Sequence, residues 1–178
     1  MTICIAYKDR VNNKVICASD SLCRMSEFCN RVSGEKIFMK DNIGYLYAGN
    51  VNRRLKFRYK FNIDFYGSSN DVFKWLNTDF MDVFKKFRKE NEEYSEDYVD
   101  QIIIIIAGRI FSLHTDFSIA ESNKDYICIG CGQEIAYGAL YALENDNTKS
   151  IREKIEIAIN ACNEFSCGCD NIIQWMEI

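Results

Sequence analysis

The sequence predicts an α+β protein of four layers, an αββα sandwich in which two β-sheets stack face to face and helices cover the outer sides. Three observations predict it. The elements run in the order strands, two helices, strands, two helices, strand. The strands come as hairpins joined by short turns, the arrangement of antiparallel sheets. The helices carry apolar residues at spacings of three and four, so each has one face to bury.

Taken in order, Ile3, Ile5 and Tyr7 alternate with Cys4, Ala6 and Lys8, and Val15-Ile16-Cys17-Ala18 answers them after Val11-Asn12-Asn13-Lys14. Asparagine tolerates positive φ, so the paired Asn marks a hairpin turn. Ser19 to Gly34 reads as loop. Lys36–Met39 and Ile43–Gly49 form a second hairpin around Lys40-Asp41-Asn42. Helices are expected over 50–61 and 70–90. In the second, Val72, Phe73, Leu76, Phe80, Val83, Phe84 and Phe87 define the apolar face after Ser69-Asn70-Asp71 as start signal. Glu90 to Asp100 carries acids and no base, which predicts a solvated loop.

Ile102–Ala107, Arg109–His114, Ser118–Ala120 and Asp125–Ile129 follow as strands. One closing helix carries Ala136, Ala139, Leu140 and Leu143; the other carries Ile151, Ile155, Ala158, Ile159 and Cys162. Ala136, Gly138, Ala139 and Ala142 would let the first pack closely on a neighbour. Ile172–Met176 is the last strand.

The chain of 178 residues is expected to be one domain, 1–178, with a real core. It has nine cysteines and no proline, where average usage gives roughly nine prolines. Turns are therefore expected to use Gly, Asn, Asp and Ser. The N-terminus shows no basic stretch followed by a long apolar one, so no export signal is expected. The longest purely apolar run, Ile102 to Ala107, is strand-sized and excludes a membrane span. A reduced, cytoplasmic setting follows, with most thiols as small core hydrophobes. A net charge of −4 disfavours nucleic acid as a partner.

Several motifs compete for a function. Cys128-Ile129-Gly130-Cys131 and Cys167-Gly168-Cys169 would together supply four thiolates for zinc, but Cys128 alternates with Ile127 and Ile129 as a strand residue does. The first pair would be a redox motif if Gly132-Gln133 opens a helix. Cys23 and Cys29 lie in a loop with no His nearby. His114 is the only histidine, so any Ser-His-Asp or Cys-His hydrolase depends on it, and it falls at a hairpin tip. No phosphate-binding glycine loop occurs. Arg53 to Lys60 is basic with interleaved aromatics; it suits RNA or phosphate contact or, equally, a helix with a charged face whose cations answer the acidic 90–100 segment. The net negative charge favours a solvated face.

A different set of residues carries a resemblance. Thr2-Ile3 opens the first strand, Ala18-Ser19-Asp20-Ser21 ends the second, and Gly34-Glu35-Lys36-Ile37-Phe38 enters the third. Ala48-Gly49 ends the fourth, and Ile129-Gly130-Cys131-Gly132 leads into the small-residue helix. In this order, over nearly the whole chain, they resemble the proteasome β subunits and the bacterial proteasome-like peptidase of the N-terminal-nucleophile (Ntn) hydrolases. The resemblance implies a peptidase acting on peptides or unfolded protein, a homo-oligomeric ring, an ATP-driven unfoldase partner, and no cofactor or metal. It implies catalytic positions at Thr2, Asp20, Lys36 and Gly49. Cys131 stands where the family keeps a serine, and Ser166 and Asp170 are the candidates for the family's remaining Asp and Ser.

The chemistry is coherent by itself. With Met1 removed, Thr2 carries a hydroxyl nucleophile and a free α-amine of pKa about 7.7–8.0, which can take the hydroxyl proton. Lys36 would favour the alkoxide-like state, Asp20 would fix Lys36, and the Gly49 N–H would hold an oxyanion. If Met1 held the nucleophile position instead, the site would be dead. Each residue also has a bland role as a strand, turn or surface residue. The alternative reading is a catalytically silent member of the same fold that serves assembly or binding.

Overall fold

The structure, a computed structural model, describes residues 2–25, 28–31, 36–91 and 100–178. Met1, the Gly34-Glu35 step and most of the acidic stretch before Asp100 lie outside the described residues.

The N-terminal hairpin forms as its alternation predicts. Strands β1 (Ile3–Asp9) and β2 (Lys14–Asp20) pair antiparallel from Cys4↔Ser19 to Asp9↔Lys14. Asn13 takes φ 50° in the turn, and Asp9 accepts from the Val11 and Asn12 N–H groups. The stretch read as loop after Ser19 instead contains a short hairpin, β3 (Leu22–Met25) and β4 (Phe28–Arg31). Four-residue strands offer too few alternations to stand out by period.

A second sheet begins with β5 (Ile37–Lys40) and β6 (Ile43–Ala48) and continues, after the helices, with β7 (Gln101–Ile106), β8 (Arg109–Leu113) and β9 (Ile119–Glu121), in that spatial order. The first sheet is completed by β10 (Tyr126–Gly130) against β1 and by β11 (Ile173–Glu177) against β2. All these pairings are antiparallel.

The period-two alternation decides which side chain enters which layer. Cys4, Ala6, Val15, Cys17, Ile127 and Ile129 from the first sheet meet Ile37, Leu46, Ile103, Ile105 and Ile110 from the second. The opposite face of the first sheet, with Ile3, Ile5, Ile16 and Cys128, is covered by α4 (Gln133–Leu143) and α5 (Ile151–Phe165). The opposite face of the second sheet, with Tyr45, Ile102, Ile104 and Phe111, is covered by α1 (Val51–Lys60), α2 (Val72–Trp75) and α3 (Met81–Asn91). This is the expected αββα stacking. Strand β7 reads as unbroken isoleucine because both its faces are buried.

Three expectations about side chains are corrected. Phe73 and Val83 lie exposed rather than in the core. A π-helical turn over Leu76–Phe80 joins α2 to α3, and its wider winding rotates the buried face to Leu76, Phe80, Phe84 and Phe87. Gly138 faces open space, so α4 and α5 pack through Ala136, Leu140 and Ala158 without help from it. The basic stretch in α1 is not a solvated face throughout: Arg53 and Arg54 are buried, and Arg53 Nε lies 2.7 Å from Asp100 Oδ2. Lys56 donates to the Asn91 carbonyl and Arg58 lies over the Phe38 ring. No helix among the described residues is long and apolar enough to cross a membrane.

Candidate active site

The hairpin β1–β2 brings Thr2, just before β1, alongside Asp20, the last residue of β2. Asp20 is fully buried, and its Oδ1 is the centre of the arrangement. That oxygen accepts from Thr2 Oγ1 at 3.1 Å, from the Ile3 N–H at 2.8 Å and from Lys36 Nζ at 2.7 Å. Its Oδ2 accepts from the Leu22 N–H at 3.3 Å. Lys36, 2% exposed, precedes β5 and reaches across from the second sheet. A buried ion pair is tolerated when further donors satisfy the carboxylate, as the two backbone N–H groups do here.

The third side is the end of β10. Gly130 pairs with Ile3 and has φ 104°; a Cβ there would lie 2.1 Å from the Thr2 carbonyl oxygen. Close approach and positive φ both require glycine. The next residue, Cys131, therefore reaches Thr2 directly: its Sγ accepts from the Thr2 N–H at 3.3 Å and donates to the Thr2 carbonyl at 3.4 Å. Contact with the Cys169 thiol, and then burial, push the Cys131 thiol above the ordinary thiol range.

Above Thr2 lies a cavity of about 280 Å³ lined by Thr2, Ala48, Gly49, Gln101, Gly130, Cys131 and Gln133. Gly49 follows β6 and contacts Asp100 so tightly that a Cβ would lie 2.0 Å from its Oδ1. Asp100 also accepts from the Asn50 N–H at 3.1 Å and pairs with Arg53 and Arg88, which fixes the turn carrying Gly49. Gln101 Oε1 accepts from the Gly130 N–H at 2.7 Å, and its Nε2 donates to Gln133 Oε1 at 3.1 Å.

All five residues singled out in the sequence thus meet at one place. Thr2, Gly49 and Cys131 line the cavity, and the buried Asp20–Lys36 pair joins it through the Thr2 hydroxyl. Asp170 lies beside them, accepting from the Ser21 N–H at 3.0 Å and its hydroxyl at 2.8 Å. Ser166 Oγ is 3.9 Å from Cys131 Sγ. Gln101, the first residue of β7, and the role of Asp100 just before it carry no local signal in the sequence, because a polar residue at a strand end is ordinary there.

The competing motifs do not assemble comparably. The four-thiolate grouping is not formed: Cys128 points into the core with Ile3 and Ile5, and among the described residues no three His, Cys, Asp or Glu are placed to share a metal ion. His114 sits exposed at 3.0 Å from Ser112 Oγ, while Asp116 is engaged by Ser118 rather than by the ring. A second cavity of about 440 Å³, between Phe38, Arg58 and Trp175, contains no nucleophilic side chain.

By sequence, no family model and no curated protein matches the chain. Its backbone nevertheless follows those of solved proteins over almost its whole length. Thiobacillus denitrificans BPH in complex with epoxomicin superposes with a TM-score of 0.81 at 18% identity, covering 100% of this chain and 98% of that one. Eukaryotic HslV from Trypanosoma brucei gives 0.72 at 13% identity, covering 99% and 98%. Anbu (ancestral beta-subunit) from Yersinia bercovieri gives 0.70 at 13%, covering 99% and 81%. The fold is thus the α+β sandwich that these solved proteins share.

Proposed function

We propose that the chain is a threonine-type peptidase that cleaves peptide amide bonds after removal of Met1. One observation carries the reading: Thr2 Oγ1 and Lys36 Nζ share the same buried Asp20 oxygen, at 3.1 and 2.7 Å, and Thr2 lines a cavity with Gly49 and Cys131.

In this mechanism the Thr2 amine, neutral in part near pH 7, takes the hydroxyl proton as Oγ1 attacks the substrate carbonyl. Asp20 orients the hydroxyl and holds Lys36, whose positive charge offsets the charge building on Oγ1. The Gly49 N–H receives the oxyanion, from a backbone that Asp100 has already fixed. The amine then protonates the leaving nitrogen, and water releases the acyl group from Oγ1. Cys131 Sγ, 3.3 Å from the Thr2 nitrogen, orients the base.

We extend the proposal to one domain in a homo-oligomeric ring, served by an ATP-driven unfoldase in the cytoplasm, because a chamber confines an exposed nucleophile. Epoxomicin, bound by the Thiobacillus protein, is the natural probe. Intact mass is expected to show a chain starting at Thr2 that gains one epoxomicin; Thr2→Ala loses both adduct and peptide turnover. A chain that retains Met1 and takes no adduct would leave the silent, assembly role in its place.

A further inference from the structure

Three thiols converge at the rim of the candidate site. Cys131 Sγ lies 3.8 Å from Cys169 Sγ and 3.6 Å from the Gly168 carbonyl, which it faces as a donor. Cys162 Sγ donates to the Gly132 carbonyl at 3.2 Å. A Cβ on Gly132 would lie 2.9 Å from Cys162 Sγ and 3.0 Å from Cys169 Sγ, so both sulfurs press on the backbone immediately after Cys131. Cys131 is exposed, whereas Cys162 and Cys169 are buried. Thus one thiol meets solvent, and its nearest sulfur neighbour waits behind it.

We propose that Cys131 and Cys169 form a reversible disulfide that switches off the chemistry at Thr2, an inference that rests on the peptidase reading above. The oxidant is a low-molecular-weight disulfide such as oxidised glutathione. Cys131 gives up its proton to solvent, attacks one sulfur of it as thiolate and releases the first glutathione as thiolate, which takes a proton back from solvent. Cys169 then attacks the mixed disulfide at the Cys131 sulfur and releases the second. Two protein thiols are oxidised by two electrons and one glutathione disulfide is reduced to two thiols, so atoms and electrons balance.

The bridge requires the sulfurs to close from 3.8 Å to about 2.05 Å. Cys131 Sγ now sits within reach of both the Thr2 nitrogen and the Thr2 carbonyl oxygen. Bonded to Cys169 it has no S–H to give the carbonyl, and its sulfur is drawn toward the loop after α5 and away from the amine. Cys162 is the weaker partner because its thiol is already committed to Gly132. Both Cys131 and Cys169 are held up the pKa scale, Cys169 to about 12, so exchange is slow at neutral pH and quickens as pH rises.

The test uses the full processed chain, with and without oxidised glutathione, digested unreduced and mapped by tandem mass spectrometry. Expected are the loss of two free thiols and a cross-link placed at Cys131 and Cys169. Cys169→Ser abolishes the cross-link and Cys167→Ser does not. Epoxomicin labelling of the oxidised chain falls about ten-fold, the effect of one lost hydrogen bond, and dithiothreitol restores it. In Cys169→Ser the labelling no longer responds to the oxidant. A cross-link through Cys162 or Cys167, a stable glutathione adduct on Cys131 alone, or a bridged chain that labels fully would each overturn the proposal. A reduced chain that never labels would instead sink the peptidase reading, and the switch with it, while the mass map still decides the bridge.

Discussion

Gly130 touches Thr2 backbone to backbone: its Cα lies where any added Cβ would stand 2.1 Å from the Thr2 carbonyl oxygen. The candidate nucleophile is thus positioned by the absence of a side chain on the neighbouring strand. Gly108 provides the comparison, since it also has positive φ, at 70°, but has nothing within 4 Å of such a Cβ.

Gly130→Ala is therefore expected to cost about 3 kcal/mol, combining strain at positive φ with displacement of Thr2. Gly108→Ala is expected to cost about 1 kcal/mol, from strain alone. Urea unfolding of the two variants measures the difference; equal losses would show that the strand contact contributes nothing.

Lys36→Met leaves the fully buried Asp20 carboxylate with backbone and hydroxyl donors but no cation. Removing one partner of a buried pair costs about 3–5 kcal/mol. Asp20→Asn in the same chain removes the stranded charge and keeps an acceptor for Ile3, so the double variant is expected to regain at least about 1 kcal/mol of that loss. Denaturation midpoints check the coupling. Epoxomicin labelling, which needs both charges, stays absent in either chain.

The layers were legible because burial on one face leaves a period. Ile3, Ile5 and Tyr7 marked a strand, and the isoleucines of β7 marked one covered on both sides. The site was legible only as an ordered set, since Thr2 and Asp20 lie 18 residues apart and no local pattern announces their contact. What stayed hidden was short or non-local. The hairpin β3–β4 has too few residues for a period, and the π-turn at Leu76–Phe80 shifts a face without altering composition. Asp100 looked like the end of an acidic loop, yet its carboxylate is buried between Gly49, Arg53 and Arg88. Only the fold discloses those partners.

Asp146, in the connection between α4 and α5, supplies a pH-dependent expectation. Its Oδ1 accepts from the Thr148 hydroxyl at 2.6 Å and the Thr148 N–H at 2.9 Å, and these bonds lower its pKa to about 2. The folded value lies below the unfolded one of about 3.9, so the ionised group stabilises the fold at higher pH. That contribution is lost as pH falls toward 2. Asp146→Asn keeps an acceptor oxygen but no charge. Its melting temperature should fall below that of the parent at pH 6, with the gap narrowing once the pH passes below about 4. A gap independent of pH would remove the ionised carboxylate from the account.

Strand β7 has a consequence for how the chain comes into being. Ile102 to Ile106 is the kind of segment that joins cross-β aggregates when uncovered: strongly β-forming, uncharged and without proline. In the finished fold β6 and β8 flank it and both faces are sealed. During synthesis β6 is already made, but β8 is not. The nearest charges, Asp100 before the run and Arg109 after it, then act as gatekeepers, placed at its ends because its interior can accept none. Asp100 thus serves the newborn chain as a brake on aggregation before it serves the finished one as the anchor of Gly49.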